Sequence, residues 1–236
     1  MIALFFVILP HNCAMTMNYA LIRLLSIGYY FLFIGYLLVS SLPSFGQNEL
    51  TGYDLGRLFF DSVRCDGRMV QMAFRCHPKF NDRCFVGYRE YGRCAIDTLT
   101  AGRIVLPDSV TDDEGQRRHV WALGRQAFAH CSHVTEVVMP DDMQEIGDQA
   151  FYGCTALREV TLPLALRVIY PFAFRGCSSL SIVRVKVPTK QFGIYDNVFD
   201  QQTLDRATLI VPTGTIEQYS ESLVFGMFRY RTEDFE

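Results

Sequence analysis

The chain has 236 residues, half of them hydrophobic, so it is long enough for one elongated domain with a substantial core. Its formal net charge is −3 and its isoelectric point is about 6.0. This charge balance gives no electrostatic reason to expect a nucleic-acid partner, which would favour a strongly basic surface.

The first 46 residues are predicted to be a targeting segment. With a start at Met17, Arg23 precedes a sixteen-residue apolar run, Leu24 to Val39, and a proline and small residues follow up to Gly46. This order is typical of an export signal that is cleaved, here after Gly46, and it predicts a secreted or surface-exposed protein. The run is somewhat long for a signal peptide, so an uncleaved membrane anchor is the alternative, but it is less favoured because the run is shorter than a full span of about 20 residues. Translation from Met1 instead of Met17 stays open.

Residues 47–100 show no repeat and are predicted to form an N-terminal β cap. Three stretches have the composition of short strands separated by polar turns: Leu58–Val63, Met69–Phe74 and Phe85–Tyr91. Paired strands of this kind are expected to cover the open end of a repeat array.

The predicted cap contains four of the eight cysteines: Cys65, Cys76, Cys84 and Cys94. In an oxidising compartment they can form up to two disulfides, with three connectivities. A zinc site is the weaker alternative because the spacing contains no C-x-x-C pair. Seven cysteines remain after signal removal, so at least one thiol is free or pairs with another molecule.

Residues 101–188 are predicted to hold the repeats, and the segment Ile104 to Pro107 is the first rung. Pro107 lies 33 residues before Pro140, ten more than the 23-residue spacing seen farther along. The extra residues predict a hairpin from Thr111 to Arg118, with Glu114-Gly115 as its turn.

One pattern then recurs every 23 residues in windows that begin at Leu123, Ile146 and Ile169. The aligned positions are Ala127, Ala150 and Ala173; Phe128, Phe151 and Phe174; Cys131, Cys154 and Cys177; Val134, Leu157 and Leu180; Val137, Val160 and Val183. A period in the twenties with L-x-x-V-x-L in each copy is typical of a leucine-rich repeat solenoid. We therefore predict a repeat solenoid, mainly β with short turns and helices, in which each copy needs its neighbours to bury its apolar side chains.

The middle copy shows the expected alternation between core and solvent. Leu157, Val160 and Leu162 are predicted to point inward, and the residues between them to face water.

Residues 189–236 are predicted to hold a degenerate last rung, Ala207 to Pro212, and a C-terminal cap helix. Thr215 and Gln218 have the spacing of a capping box, which predicts a helix from Ile216 to about Leu223. The side chains expected to cover the last rung are Tyr219, Phe225 and Phe228.

The pattern G-x-x-A-F-x-G-C-x-x-L-x-x-V-x-L-P resembles the signature of the BspA-type leucine-rich repeat proteins, bacterial surface proteins common in the Bacteroidetes. The middle copy matches at every position from Gly147 to Pro163, whereas the first has His130 for a glycine and the third has Lys186 for the proline. The resemblance implies a secreted or cell-surface, non-enzymatic protein that adheres to host or matrix proteins or to other bacteria. A structural envelope component without a host ligand is the alternative.

The sequence predicts no catalytic site, metal site or cofactor. The strongest counter-example is the run from His130 to His133, which contains Cys131, with His119 upstream. Cys131 is in register with Cys154 and Cys177, so it is expected to point into the core and not to act as a nucleophile. An unrecognised enzyme is therefore the least favoured function.

The outward positions of three predicted strands form the candidate binding face for a protein ligand: Thr135, Glu136 and Val138; Arg158, Glu159 and Thr161; Ser181, Ile182 and Arg184. Solenoids use such faces to bind proteins. A solvated face without a partner is the alternative. Membrane contact is expected only through the N-terminal segment, if it is uncleaved.

Overall fold

The computed structural model describes residues 56–88, 92–188 and 192–234, so the predicted targeting segment lies outside the described residues. The strands there are β1 Leu58–Cys65, β2 Arg68–Cys76, β3 Arg83–Val86, β4 Gly102–Val105, β5 Ser109–Thr111, β6 Arg117–Leu123, β7 Val134–Val138, β8 Glu145–Ile146, β9 Glu159–Leu162, β10 Val168–Ile169, β11 Ile182–Val185, β12 Gly193–Ile194, β13 Thr208–Val211 and β14 Tyr230–Glu233. The helices are α1 Gln201–Arg206 and α2 Ile216–Ser220, with a 3-10 turn at Phe225–Met227. Among these residues, no helix combines the length and apolar character needed to cross a bilayer.

The strands form two parallel ladders, and each 23-residue copy contributes one strand to each. The first ladder runs β6-β8-β10-β12, and the second runs β4-β7-β9-β11-β13-β14. The middle copy, for example, supplies β8 to one ladder and β9 to the other. The predicted mainly β solenoid is therefore confirmed.

The A-F-x-x-C turns join the two ladders and stack on one another. The backbone N–H of Phe128 donates to the carbonyl of Ala150 at 2.7 Å, and that of Phe151 donates to Ala173 at 2.8 Å. The rings of Phe128, Phe151 and Phe174 are fully buried, and successive ring centroids lie 5.4 and 5.1 Å apart with interplanar angles of 8°. The repeat therefore builds a single interior column of phenylalanines, as the sequence predicts.

Strand β9 confirms the predicted direction of its side chains. Leu157, Val160 and Leu162 are no more than 1% exposed. Arg158 is exposed, and Glu159 and Thr161 are half-buried. The alternation places the apolar side chains against the neighbouring copies.

Antiparallel strands β1, β2 and β3 connect the two ladders. β1 pairs with β2 over eight residue pairs and then with β4, and β3 pairs with both β2 and β6. Two strands agree with the sequence, but the third ends at Val86, and the last three residues of the predicted stretch, 89–91, lie outside the described residues. Gly87 ends it because its φ is +97° and a Cβ there would lie 3.3 Å from the Ala127 Cα, a position that glycine tolerates. That these strands act as a cap stays a prediction.

The predicted hairpin forms between β5 and β6, with Gly115 at φ +75° in its turn. The buried carboxylate of Asp112 holds the turn. It accepts from the backbone N–H groups of Glu114 at 3.0 Å and Gln116 at 2.8 Å, and from Arg118 Nε at 2.7 Å.

The C-terminal region differs from the prediction in two respects. The last rung is present as β13, but α2 ends at Ser220, and the predicted capping box is wrong because Thr215 makes no side-chain cap hydrogen bond. Its hydroxyl instead donates to the carbonyl of Pro212 at 2.6 Å. Helix α1 and strand β14 are not predicted from the sequence.

Candidate binding face

The nine predicted face residues form a grid of three columns across β7, β9 and β11, including the residues just before β9 and β11. In the middle column, Glu136 is the register partner of Glu159, which is in turn the partner of Ile182. Because the strands are parallel and in register, equivalent outward side chains lie side by side.

The two outer columns follow the same arrangement. In the first, the N–H of Arg158 donates to the carbonyl of Thr135 at 3.0 Å, and the N–H of Ser181 donates to that of Arg158 at 2.9 Å. In the third, Thr161 is the register partner of Arg184. All nine residues are exposed or half-buried, while the intervening Val137, Val160 and Val183 are buried. The structure thus presents all nine predicted residues to solvent, and that they bind a partner stays a prediction.

Charges on this face are mixed and partly paired. Arg103 Nε lies 2.9 Å from Glu136 Oε2, and Arg184 Nε lies 3.7 Å from Glu159 Oε1. Arg184 also pairs with Asp234. Exposed ion pairs of this kind contribute only about 0.2 to 1 kcal/mol each, so a partner can exchange them for its own charges.

Arg158 is the exception among the face arginines. It is exposed, and no carboxylate lies within ion-pair distance of it among the residues that the structure covers. Its guanidinium is therefore available for a bidentate contact with a carboxylate from outside.

The face is larger than the sequence predicts. Arg103 on β4 continues the middle column at one end, and Thr208 on β13 continues it at the other. Val105 and Ile210 extend the third column in the same way. The repeat alignment missed them because their rungs lie outside the clear copies. The prolines that follow these strands could have identified the four residues. Arg103, for example, precedes Pro107 by the same four residues that separate Glu136 from Pro140.

In the run from His130 to His133, the cysteine points into the core, as its register with Cys154 and Cys177 predicts. Cys131 is fully buried, and its hydrogen bond with Cys94 together with burial raises the pKa of the Cys131 thiol, so it is protonated at neutral pH. His119 binds the carbonyl of Asp108 through Nδ1 at 2.9 Å, and its Nε2 lies 3.3 Å from Asp142. In the described part of the chain, no three His, Cys, Asp or Glu side chains converge to hold a metal ion.

Comparison with known proteins agrees with the geometry. Residues 118–222 match the family model of the BspA type leucine-rich repeat region, in six copies. This part of the chain is a BspA-type leucine-rich repeat region. BspA-type repeat proteins are usually secreted or located at the bacterial cell surface, and they usually act by binding other proteins and not as enzymes.

Several solved structures resemble this chain. A leucine-rich repeat protein from Bacteroides capillosus is 24% identical, with a TM-score of 0.47, over 64% of this chain and 99% of that one. The leucine rich repeat protein of T. pallidum is 21% identical, with a TM-score of 0.45, over 61% of this chain and 70% of that one. A leucine rich cell surface protein from Faecalibacterium prausnitzii is 19% identical, with a TM-score of 0.39, over 63% of this chain and 45% of that one. A search of curated proteins gave no significant match.

The recurring cysteine of the BspA-type copies has a role that sequence reasoning missed. Cys154 Sγ donates to the carbonyl of Phe128 at 2.9 Å, and Cys177 Sγ donates to that of Phe151 at 3.2 Å. Each thiol therefore links its copy to the phenylalanine turn of the preceding copy. Burial raises the pKa of Cys154 to about 12, which keeps the thiol protonated as a donor.

A cleft of about 600 Å³ lies away from the strand face, and Arg57, Cys76, His77 and Arg118 contribute to its lining. Arg57 and Arg118 both contact the buried carboxylate of Asp112, each at 2.7 Å. Because that carboxylate neutralises part of their charge and belongs to the hairpin turn, we assign these arginines a structural role.

Proposed function

We propose that this chain is a secreted or cell-surface binding protein whose strand face holds another protein, in adhesion to host or matrix proteins or to other bacteria. The nine-residue grid on β7, β9 and β11 is the observation that carries the proposal. It is an in-register array of outward side chains, fixed by the hydrogen bonds of the ladder and by the phenylalanine column behind it.

The chemistry of the grid fits a protein partner. Val138 and Ile182 supply half-buried apolar surface, and Arg158 supplies an exposed guanidinium. Arginine is enriched among the residues that contribute most to binding at protein interfaces, and the core of an interface is more apolar than its rim. The nearly balanced charge of the face gives no support to a polyanionic ligand.

The test is a pull-down of purified matrix proteins and of bacterial surface extracts with the exported chain and a face variant. The variant carries three changes, one for each rung of the face. They are Val138→Ala on β7, Arg158→Ala immediately before β9 and Arg184→Ala on β11. We expect retention of a partner by the wild type and at least a tenfold loss of affinity in the variant, since each truncated hot-spot contact costs about 1 to 2 kcal/mol.

A matched control carries Gln144→Ala, Arg167→Ala and Val168→Ala, which lie on or beside β8 and β10 of the other ladder. These residues are half-buried or exposed, as are those of the face variant. Circular dichroism verifies that both variants are folded. Unchanged binding by the face variant, or equal loss in both variants, would show that the strand face is the wrong surface.

A further inference from the structure

Two of the four cysteines in the N-terminal strands lie directly opposite one another. Cys76 at the end of β2 and Cys84 in β3 are register partners in an antiparallel pair. Side chains that oppose each other across two strands project from the same face of the sheet, so these thiols share one side. Both residues are buried, at 9% and 0% exposure.

The hydrogen-bond pattern of the ladder brings the Cα atoms of Cys76 and Cys84 closer together than those of a hydrogen-bonded pair. The next pair along the ladder is hydrogen bonded, because the N–H of His77 donates to the carbonyl of Arg83 at 2.9 Å. Hydrogen-bonded and non-bonded pairs alternate in antiparallel ladders, so Cys76 and Cys84 occupy a non-bonded position. Cα atoms at such positions are about 4.5 Å apart, at the short end of the range of about 4.4 to 6.8 Å that a disulfide spans.

The strand register places neither of the other two cysteines opposite a cysteine. Cys65 is the register partner of Arg68, and its Sγ donates to the carbonyl of Ala101 at 3.2 Å. Cys94 donates to the carbonyl of Ala129 at 2.7 Å, and its thiol is hydrogen bonded to Cys131. Of the pairings among the four that the sequence leaves open, the strand register supports the one between Cys76 and Cys84.

The two thiols also differ in access. Cys76 lines the cleft described above, whereas Cys84 is fully buried and its Sγ donates to the carbonyl of His119 at 3.4 Å. Burial raises the pKa of the Cys84 thiol. An oxidant that enters the cleft therefore meets Cys76 first.

We propose that Cys76 and Cys84 are a site of disulfide formation, with a small-molecule or protein disulfide as the oxidant. The Cys76 thiolate attacks one sulfur of the oxidant and expels the other as a thiol, which gives a mixed disulfide. The Cys84 thiolate then attacks Cys76 Sγ and expels the second thiol of the oxidant. Two protein thiols lose two protons and two electrons, and the disulfide of the oxidant is reduced to two thiols.

The bond closes the seven-residue loop from His77 to Arg83. The first residue of this loop contributes to an aromatic cluster: the centroid of the His77 ring lies 4.6 Å from that of Phe80 in the loop and 5.6 Å from that of Trp121 on β6. In the cell the reaction rests on the proposed export of the chain, since disulfides persist in oxidising compartments. The test uses purified protein and is independent of export.

Peptide mapping tests the pairing directly. The folded full chain is incubated in a glutathione redox buffer, alkylated with iodoacetamide and digested with trypsin. Cleavage after arginine and lysine places each of these four cysteines in its own peptide: Cys65 in 65–68, Cys76 in 76–79, Cys84 in 84–89 and Cys94 in 94–103. We expect peptides 76–79 and 84–89 to be joined, two hydrogens lighter than their sum, and to separate on reduction. Recovery of both as alkylated or glutathionylated single peptides, or joined to other cysteine peptides, overturns the proposal.

A second measurement does not depend on peptide recovery. We expect dithiothreitol to lower the urea midpoint of the oxidised wild type and of the Cys65→Ser control, and to leave that of Cys76→Ser/Cys84→Ser unchanged. The shift should be smaller than for a long-range disulfide, because a short loop loses less chain entropy on closure. An equal response to the reductant in the double variant overturns the proposal.

Discussion

At the scale of single residues, the repeat positions divide into those that hold neighbouring copies together and those that face solvent. Phe151 is fully buried between the rings of Phe128 and Phe174, with centroid distances of 5.4 and 5.1 Å. Arg158 in the same copy is exposed. The sequence predicts this difference from the 23-residue alignment and the alternation in the strand.

Replacement of Phe151 by alanine should lower the free energy of unfolding by about 3 to 5 kcal/mol, because it leaves a cavity between two stacked rings. Arg158→Ala should change it by no more than about 0.5 kcal/mol, since the side chain lies at the surface. Urea unfolding followed by circular dichroism measures both. Similar losses in the two variants would contradict the assignment of core and surface.

The buried thiols predict a loss of stability at alkaline pH. Burial raises the pKa of Cys154 from its ordinary value of 9.0 to about 12. Above about pH 9 the thiol ionises in the unfolded chain but not in the folded one, so the unfolded state gains stability. The stability contribution is complete below pH 9 and falls by up to about 1.4 kcal/mol per pH unit until the folded thiol ionises near pH 12.

Urea midpoints of reduced protein at pH 8, 10 and 11 measure this effect. Cys154→Ala should show a shallower decline than the wild type, although not a flat one, because burial also raises the pKa of Cys177. Identical pH dependence in both proteins would show that Cys154 does not cause the loss of stability at alkaline pH. The hydrogen bond made by this thiol was not predictable from the alignment. A cysteine recurs at the same position of the repeat whether it serves as a small apolar side chain or as a buried donor.

At the scale of elements, the C-terminal helices show where local motifs mislead. Thr215 and Gln218 have capping-box spacing, yet Thr215 has helical backbone angles, φ −115° and ψ −3°, instead of the extended ones of a capping residue. Helix α1 has no such motif but is capped by Asp200, whose carboxylate accepts from the N–H of Thr203 at 2.8 Å. A tertiary contact holds Asp200 in its capping position, since the same carboxylate also accepts from the N–H of Gly176 in the preceding copy, at 3.0 Å.

Asp200→Ala should therefore destabilise the protein by about 1 to 3 kcal/mol, because it removes a helix cap and leaves the Gly176 N–H without that acceptor. Gln218→Ala, at an exposed position of α2, should be neutral within about 0.5 kcal/mol. Urea melts of the two variants check the difference. The reverse order of effects would indicate that the capping box operates after all.

At the scale of the whole molecule, periodicity determines what the sequence can predict. The residues from 123 to 188 repeat themselves, so their strands, their phenylalanine column and the candidate face follow from alignment. The ends do not repeat, and there Arg103, helix α1 and strand β14 depend on contacts between segments far apart in sequence. The column itself continues beyond the clear copies: the ring of Phe199 stacks on Phe174 at 5.3 Å and meets that of Phe228 at 5.2 Å.

A stack of copies that touch only their neighbours should show coupling only between neighbours. Phe174 and Phe199 are in direct ring contact, so Phe174→Leu and Phe199→Leu should be non-additive in the free energy of unfolding by about 0.5 to 1.5 kcal/mol. Phe128 and Phe199 are separated by two intervening rings, so Phe128→Leu and Phe199→Leu should add within about 0.3 to 0.5 kcal/mol. Double-mutant cycles in urea measure both terms, and leucine keeps the double variants folded better than alanine would. Equal coupling for the near and the distant pair would mean that the array behaves as one globular core, in which case distance along the solenoid has no energetic meaning.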